Sequence, residues 1–578
     1  MRFHLLLLTW ALFSFSTLAD SRLPAPEAAT GWNEKPLVDA HHAMVVTANP
    51  YASKAAQQML QLGGSAVDAM IAAQAVLTLV EPQSSGLGGG GFMVYWQQEN
   101  AMLTTLDGRE TAPMAAPSDL FLDDNQAPLA FYDAVVGGRS VGTPGTVRLM
   151  WHAHQRFGEL DWSVLFTPAI RLATEGFTVS PRLARLIAKD KHHLVKDPDS
   201  RDYFFDSQGN PLAAGSHKTN PQLAKVLRQI SQHGPDAFYQ GALAEKIVNK
   251  VAQAEHPGYL RLSDLSEYQV KERPALCAPY RQYQICGMGP PSSGTLALGQ
   301  ILGMLAHSNL AALGPNSPQS WRLIADASRL AFADRNRYVA DNDFVQVPTE
   351  ALLAPAYLAK RAALLNQSNQ ALLSVSPGQP LANLNRQGSD SSPEFPSTTH
   401  LSIVDNKGNA LSMTSTIENG FGSRLMVQGF LLNNELTDFA FSPVIEGEPV
   451  ANRLEPGKRP RSSMAPTIVM QDNQPLLIVG SPGGSSIIGY VLHSIINILD
   501  WGMTPAQALH QPHIIHRGKV LEMEASGRNI ALQSAMSALG FTVKFTELNS
   551  GLHAIMLTDE GITGAADPRR EGVALAAD

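Results

Sequence analysis

An α/β fold, built as two or more domains or as one large layered unit, follows from three observations on this sequence. Its 578 residues exceed what one simple core serves. Hydrophobic residues make up 44% and charged residues 16%, the balance of a globular chain with a large buried core. Helix-type spacing recurs up to about residue 370, and strand-type alternation takes over after residue 398.

The elements follow in chain order. Arg2 and His4 precede the apolar run from Leu5 to Phe15, and Thr17-Leu18-Ala19 places small residues at a cleavage spacing. This reads as a secretory signal peptide over residues 1–19, cut near Ala19-Asp20, because the run is short for a span of ~20 residues. No other segment is long and apolar enough to cross a bilayer, so the expectation is an exported protein, periplasmic or secreted. Met44 to Pro82 carries helical spacing (Ala52, Ala55, Ala56, Met59, Leu60, then Val67, Met70, Ile71), broken at Gly63-Gly64. A run of glycines, Gly86 and Gly88 to Gly91, leads into a strand-like Phe92–Trp96. Phe131–Val136 is also strand-like, and helices dominate from about 150 to 370.

The net charge of −8 gives no basic footprint for nucleic acid. Only two cysteines occur, Cys277 and Cys286, which face one another if the chain turns at Arg281-Gln282. A disulfide and a pair of buried thiols both remain open, while so low a count excludes a zinc site or a disulfide scaffold.

Residues 366–397 form the clearest linker, rich in Ser, Pro, Asn and Gln, and are expected to stay exposed and mobile as a processing site requires. The linker ends abruptly at Thr398, where Leu401–Val404 begins to alternate. A threonine hydroxyl is a poor nucleophile unless a base lies beside it, and its own α-amine serves if the chain is cut after Ser397. A loop with Gly408 in the left-handed position joins Leu401–Val404 to Ala410–Thr414. In that register Val404 faces Ala410 and Thr398 faces Thr416, with Cβ atoms about 5 Å apart. Thr416 can then hydrogen-bond the hydroxyl or the new amine of Thr398.

These residues resemble the γ-glutamyltransferase (glutathione hydrolase) family of N-terminal nucleophile hydrolases. The resemblance runs through Gly63–Ala69, Gly88–Phe92, Asp107–Pro113, Gly142–Gly145, Thr398-Thr399-His400, Leu432–Phe439, Arg459–Met464 and Gly480–Gly484, in the family's order. It implies a four-layer αββα sandwich, cleaved autocatalytically into a large chain, 20–397, and a small chain, 398–578, that stay together as a heterodimer. It further implies an acyl-enzyme on Thr398, formed from glutathione or another γ-glutamyl amide and passed to water or to an amino acid or peptide acceptor. Gly483 and Gly484 would supply backbone N–H groups to the oxyanion, Arg109 with Ser462 and Ser463 would hold the donor's α-carboxylate, and Glu435 and Asp438 its α-ammonium. Glu418 stands where many members have Asn, and would add a third acid. Ser65 replaces a common Asn as a structural matter. The stretch from Asp438 to Ser462 is shorter than in members with a loop over the glutamyl site, which would leave the pocket open to bulkier donors. Neither a cofactor nor a metal is expected.

Rival readings rest on single motifs. Gly86-x-Gly88-x-x-Gly91 matches a dinucleotide fingerprint but follows a helix and precedes a strand, the reverse of the required order. Gly138-Arg-Ser140-Val-Gly142, after the strand-like 131–136, matches the nucleophile elbow of a secreted esterase. His510, His513 and His516 have metal-like spacing, yet Pro512 opposes the helix that would align them; His152-x-His154 is weaker still. Within the family, a cephalosporin-acylase-like or polyglutamate-processing amidase is the alternative. From another functional class, a non-catalytic periplasmic binding protein would show no self-cleavage.

Overall fold

The computed structural model describes residues 31–578 except 385, 391, 393, 395 and 396; the signal segment at 1–19 lies outside the described residues. The central strands are β1 Val38–Ala40, β2 Met44–Thr47, β3 Gly90–Gln97, β4 Met102–Gly108, β5 Lys271–Arg273, β6 Leu276–Tyr280 and β7 Tyr283–Gly287. They continue with β8 Thr398–Val404, β9 Ala410–Thr416, β10 Thr467–Gln471, β11 Gln474–Gly480, β12 His553–Thr558, β13 Gly561–Ala566 and β14 Val573–Ala576. They form two seven-stranded sheets, ordered β14-β2-β8-β9-β3-β4-β5 and β1-β13-β12-β11-β10-β7-β6. Every pairing within them is antiparallel.

The sheets stack face to face around Val46, Val94, Val404, Ile468, Ile478 and Ile555, the alternate side chains of their strands. Helices cover both outer faces. On the sheet holding β8 lie α1 Pro50–Gln61, α2 Ala66–Val80 and α3 Thr146–Phe157. On the other lie α4 Gly294–Leu305, α5 Pro318–Tyr338 and α6 Ile487–Leu499. The predicted αββα sandwich is therefore the observed one. Helix α2 is buried along its whole length, as a layer between sheet and outer helices requires, and Ser65 caps it through a reciprocal pair of bonds with Asp68.

Three expectations need correction. The helix expected from Met44 starts only at Pro50, after the cap at Asn49, because Val45, Val46 and Thr47 are β-branched and pair on both sides with β8 and β14. Phe131–Val135 is a short helix, with Ala134 and Val135 turned inward, rather than a strand. The linker is exposed at Leu373 but closes down before the junction: Gly388 bridges to Val450, Asp390 is buried against Arg461, and Ser397 is fully buried. The reason is electrostatic, since the acids of this segment neutralise buried guanidinium groups.

Cys277 and Cys286 face one another across the β6–β7 hairpin and are joined as a disulfide. Arg281 takes the left-handed turn position at φ 56°. Among the described residues no helix is long and apolar enough to cross a membrane.

Candidate active site

The β8–β9 hairpin sets the reactive junction. Its register matches the sequence arithmetic throughout, from Val404 opposite Ala410 to Thr398 opposite Thr416. Gly408 occupies the turn at φ 80°, and the Asp405 carboxylate accepts backbone N–H bonds from Lys407 and Asn409. A third bond, from Ala66 at the head of α2, ties this turn to the helical layer. The glycine run is explained here as well. A Cβ on Gly89 would stand 2.0 Å from the Thr416 carbonyl oxygen, and one on Gly88 2.1 Å from that of Leu431. Only glycine lets β3 enter beside the functional end of β9, so the run is a packing device and not a dinucleotide cradle.

At the junction Thr398 and Thr416 bring their Oγ1 atoms to 3.4 Å. The Thr416 hydroxyl donates to the Ser397 carbonyl oxygen at 2.7 Å while accepting the Glu418 N–H at 2.9 Å. That accepted bond directs the Thr416 proton toward the carbonyl of the Ser397–Thr398 peptide. Glu418 holds a left-handed backbone, φ 74°, that a side chain seldom adopts, and its carboxylate accepts bonds from Asn434 and Thr437.

A pocket opens on this pair, lined by Thr398, Thr416, Glu418, Arg109, Glu435, Asp438, Ser462, Ser463, Glu394 and Gly484. It gathers Arg109 from the end of β4, Glu435 and Asp438 from one short turn, and the 462–463 serines from the segment before β10. Arg109 is fully buried and forks between the carboxylates of Glu435 and Asp438, with further bonds to the Pro460 and Arg461 carbonyls. The Ser462 hydroxyl accepts the Met464 N–H, and Ser463 donates to Glu394. Gly483 and Gly484 sit at φ 138° and 55°, and a Cβ on Gly483 would strike the Tyr490 ring. Glycine is required at this turn.

Burial drives the pocket acids toward their neutral forms. It pushes Glu418 and Glu435 well above the usual carboxylate range, and raises Asp438, against the opposing pull of Arg109 on all three. Glu110, also fully buried, is pushed up to about 7 by that burial, and neither of its carboxylate oxygens has a hydrogen-bond partner among the described residues. Between its ordinary value of 4.5 and about 7, the folded chain keeps a proton that the unfolded chain has lost. Stability from Glu110 is thus full below pH 4.5 and is lost as pH rises toward 7. Glu110→Gln is expected to flatten the urea midpoint across that window; an unchanged pH slope would disprove the assignment.

Other singled-out residues lie elsewhere. Ser140 is buried and donates to the Val135 and Gly137 carbonyls, so its hydroxyl staples a loop. His513 bonds Ser550, His516 accepts the Gly518 N–H, and burial lowers both below the ordinary histidine value, leaving them neutral. His152 pairs with Glu272, and His154 with the Leu160 carbonyl. No cluster of potential metal ligands occurs among the described residues.

Sequence reasoning missed Glu110, Glu394 and Arg335. Glu110 lies within the Asp107–Pro113 motif but carries no separate signal. Glu394 looked like one more linker charge, and Arg335 like one more charge on a long helix. Only burial distinguishes them.

An αββα sandwich with a threonine heading a central strand, beside a pocket of paired charges, defines an N-terminal nucleophile hydrolase. The gamma-glutamyltranspeptidase profile matches residues 52–577, and the chain belongs to that family. It is 36% identical over 543 residues to a glutathione hydrolase proenzyme of Bacillus subtilis (strain 168), covering 92% of this chain and 91% of the relative. A glutathione hydrolase proenzyme of Escherichia coli (strain K12) is 34% identical over 559 residues, covering 94% of each. Among solved structures, the cephalosporin acylase from Bacillus halodurans superposes with a TM-score of 0.83 at 25% identity, over 95% of this chain and 98% of that one.

Proposed function

We propose that this protein is a self-cleaving γ-glutamyltransferase and glutathione hydrolase, exported and then cut into the 20–397 and 398–578 chains. The observation that carries the reading is the Thr416 hydroxyl, placed between the Thr398 hydroxyl and the Ser397 carbonyl. As Thr398 Oγ1 bonds to the Ser397 carbonyl carbon, its proton passes to Thr416 Oγ1 and the Thr416 proton passes to the carbonyl oxygen. The C–N bond then breaks, the nitrogen takes the proton, and water hydrolyses the resulting ester to free the Thr398 amine. That amine, with an ordinary pKa of about 7.7–8.0, is a fitting general base near neutral pH.

The mature Thr398 would attack the γ-carbonyl of a γ-glutamyl amide, with the amine of the donor leaving and the acyl group remaining on Oγ1. Water completes hydrolysis, and an amino acid or peptide amine completes transfer. Gly483 and Gly484, with Gly484 in the pocket wall, would present N–H groups to the oxyanion. Glu418, Glu435 and Asp438 lie together in the pocket wall, the last two bridged by Arg109, and this cluster favours an entering ammonium. This supports an amino-acid head over the simple acyl group of an acylase, the second reading that the structural likeness to a cephalosporin acylase keeps open.

N-terminal sequencing of the purified protein should find a second terminus at Thr398, with glutamate released from glutathione. A single uncut band would end the reading. Thr416→Val, which keeps shape but removes the hydroxyl, should slow self-cleavage about 100-fold or more, the usual cost of one oxyanion donor. Cleavage at the wild-type rate would show that Thr416 takes no part.

A further inference from the structure

Backbone N–H groups serve an oxyanion only if their direction is fixed before the reaction. Gly483 and Gly484 lie between β11 and α6, in a turn whose residues have the widest backbone freedom of any type. Two contacts from behind the pocket restrain it. On one side the ring of Tyr490, one turn into α6, lies so close that a Cβ on Gly483 would stand 2.6 Å from its Cε2. On the other, Pro482 lies on Gly551, where a Cβ would stand 2.7 Å from the proline Cγ, and the Gly551 N–H donates to Ser481 Oγ at 3.4 Å.

These two contacts share one foundation. The Tyr490 ring packs on the His513 imidazole with centroids 4.5 Å apart. His513 Nε2 lies 2.7 Å from the hydroxyl of Ser550, the residue before Gly551, and that hydroxyl donates to Asp567. Against its burial, the Arg569 guanidinium and the N–H groups of Leu552 and Arg569 hold Asp567 as a carboxylate. A carboxylate only accepts, so the Ser550 proton points to Asp567 and Ser550 Oγ accepts its bond from the His513 Nε2–H. The imidazole is thereby fixed in one tautomer and one orientation. Tyr490, His513, Ser550 and Asp567 are each no more than 2% exposed.

We propose that Tyr490 and His513 are positioning residues for the oxyanion turn, which Ser550-Gly551 carries at Pro482 directly and at Gly483 through these two rings. Neither ring lines the pocket, so both act through the backbone of Gly483. Position 490 needs the ring and not the hydroxyl, which has no hydrogen-bond partner among the described residues. In the uncut chain the carbonyl oxygen under attack takes a bond from Thr416, so the turn serves turnover of a donor rather than self-cleavage. This role rests on the proposed γ-glutamyl activity.

Self-cleavage is followed on a denaturing gel, and turnover by release of 4-nitroaniline from L-γ-glutamyl-4-nitroanilide. Turnover by the unsubstituted enzyme tests the proposed function; its absence would end that reading and this role together. With that turnover present, Tyr490→Leu and His513→Leu are expected to cleave themselves yet lose about 10- to 100-fold in kcat, short of the loss of an oxyanion donor outright. KM should change little, as an interaction made only in the transition state requires. Ser550→Ala, which removes one hydroxyl and leaves both rings in place, is the gentler variant and should lower kcat alone, about fivefold. Tyr490→Phe keeps the ring and should retain the unsubstituted kcat. An unchanged kcat in the leucine variants, or an equal loss in Tyr490→Phe, would overturn the role. So would a loss of self-cleavage in step with turnover in Ser550→Ala, since a defect of the whole fold would then account for both.

Discussion

Thr398→Ala is expected to give a single uncut chain with no measurable turnover of a γ-glutamyl donor. The hydroxyl is required twice, once to attack the Ser397 carbonyl and once to take up the acyl group, and no neighbouring side chain repeats its position on the strand. Loss of a nucleophile of this kind costs about 10⁴- to 10⁶-fold in rate. Thr398→Ser should still cleave, since the primary hydroxyl keeps the same chemistry. Ser140→Ala is the control: its hydroxyl bonds only loop carbonyls, so cleavage and turnover should persist. Cleaved, active Thr398→Ala protein, or loss of activity only in Ser140→Ala, would end the threonine mechanism. A denaturing gel and an amidase assay read both outcomes.

Arg109→Met should be nearly as severe, by a different route. The Arg109 guanidinium is the ion-pair partner of the Glu435 carboxylate, which is 0% exposed, and of Asp438. Removing one member of a buried ion pair leaves the others without counter-charge, at a cost of about 3–5 kcal/mol. The urea midpoint should fall accordingly, and KM for the donor should rise because the ammonium-binding acids lose their fixed positions. Arg109→Lys should rescue little: a single ammonium on a flexible stem cannot reproduce a planar fork that bridges two acids and reaches two carbonyls. A wild-type midpoint in Arg109→Met would show that the Arg109 ion pairs add nothing to stability.

The limits of sequence reading fall along a physical line. Local rules reach along one hairpin. Strand alternation, the left-handed glycine at 408 and the two-residue period together dictate that Thr398 meets Thr416, and the structure keeps that register residue for residue. The helical reading failed at Met44–Thr47, a β-branched run that pairs on both sides, and the strand reading failed at Phe131–Val135, which folds as a short helix.

Charge pairing behaves differently, because Coulombic partners carry no sequence period. Arg335 on its helix, Arg461 before β10 and Glu394 in the linker look like three unrelated charges along the chain. Folding removes their water and leaves each with one another as partners. The sequence alone therefore singled out Thr398 and its hairpin partner through short-range backbone geometry, while the four-layer fold came from the resemblance to the family. Only the tertiary structure decided which buried charges share the pocket, and that the linker brings its own carboxylate into it, since desolvation acts across the whole molecule and not along the chain.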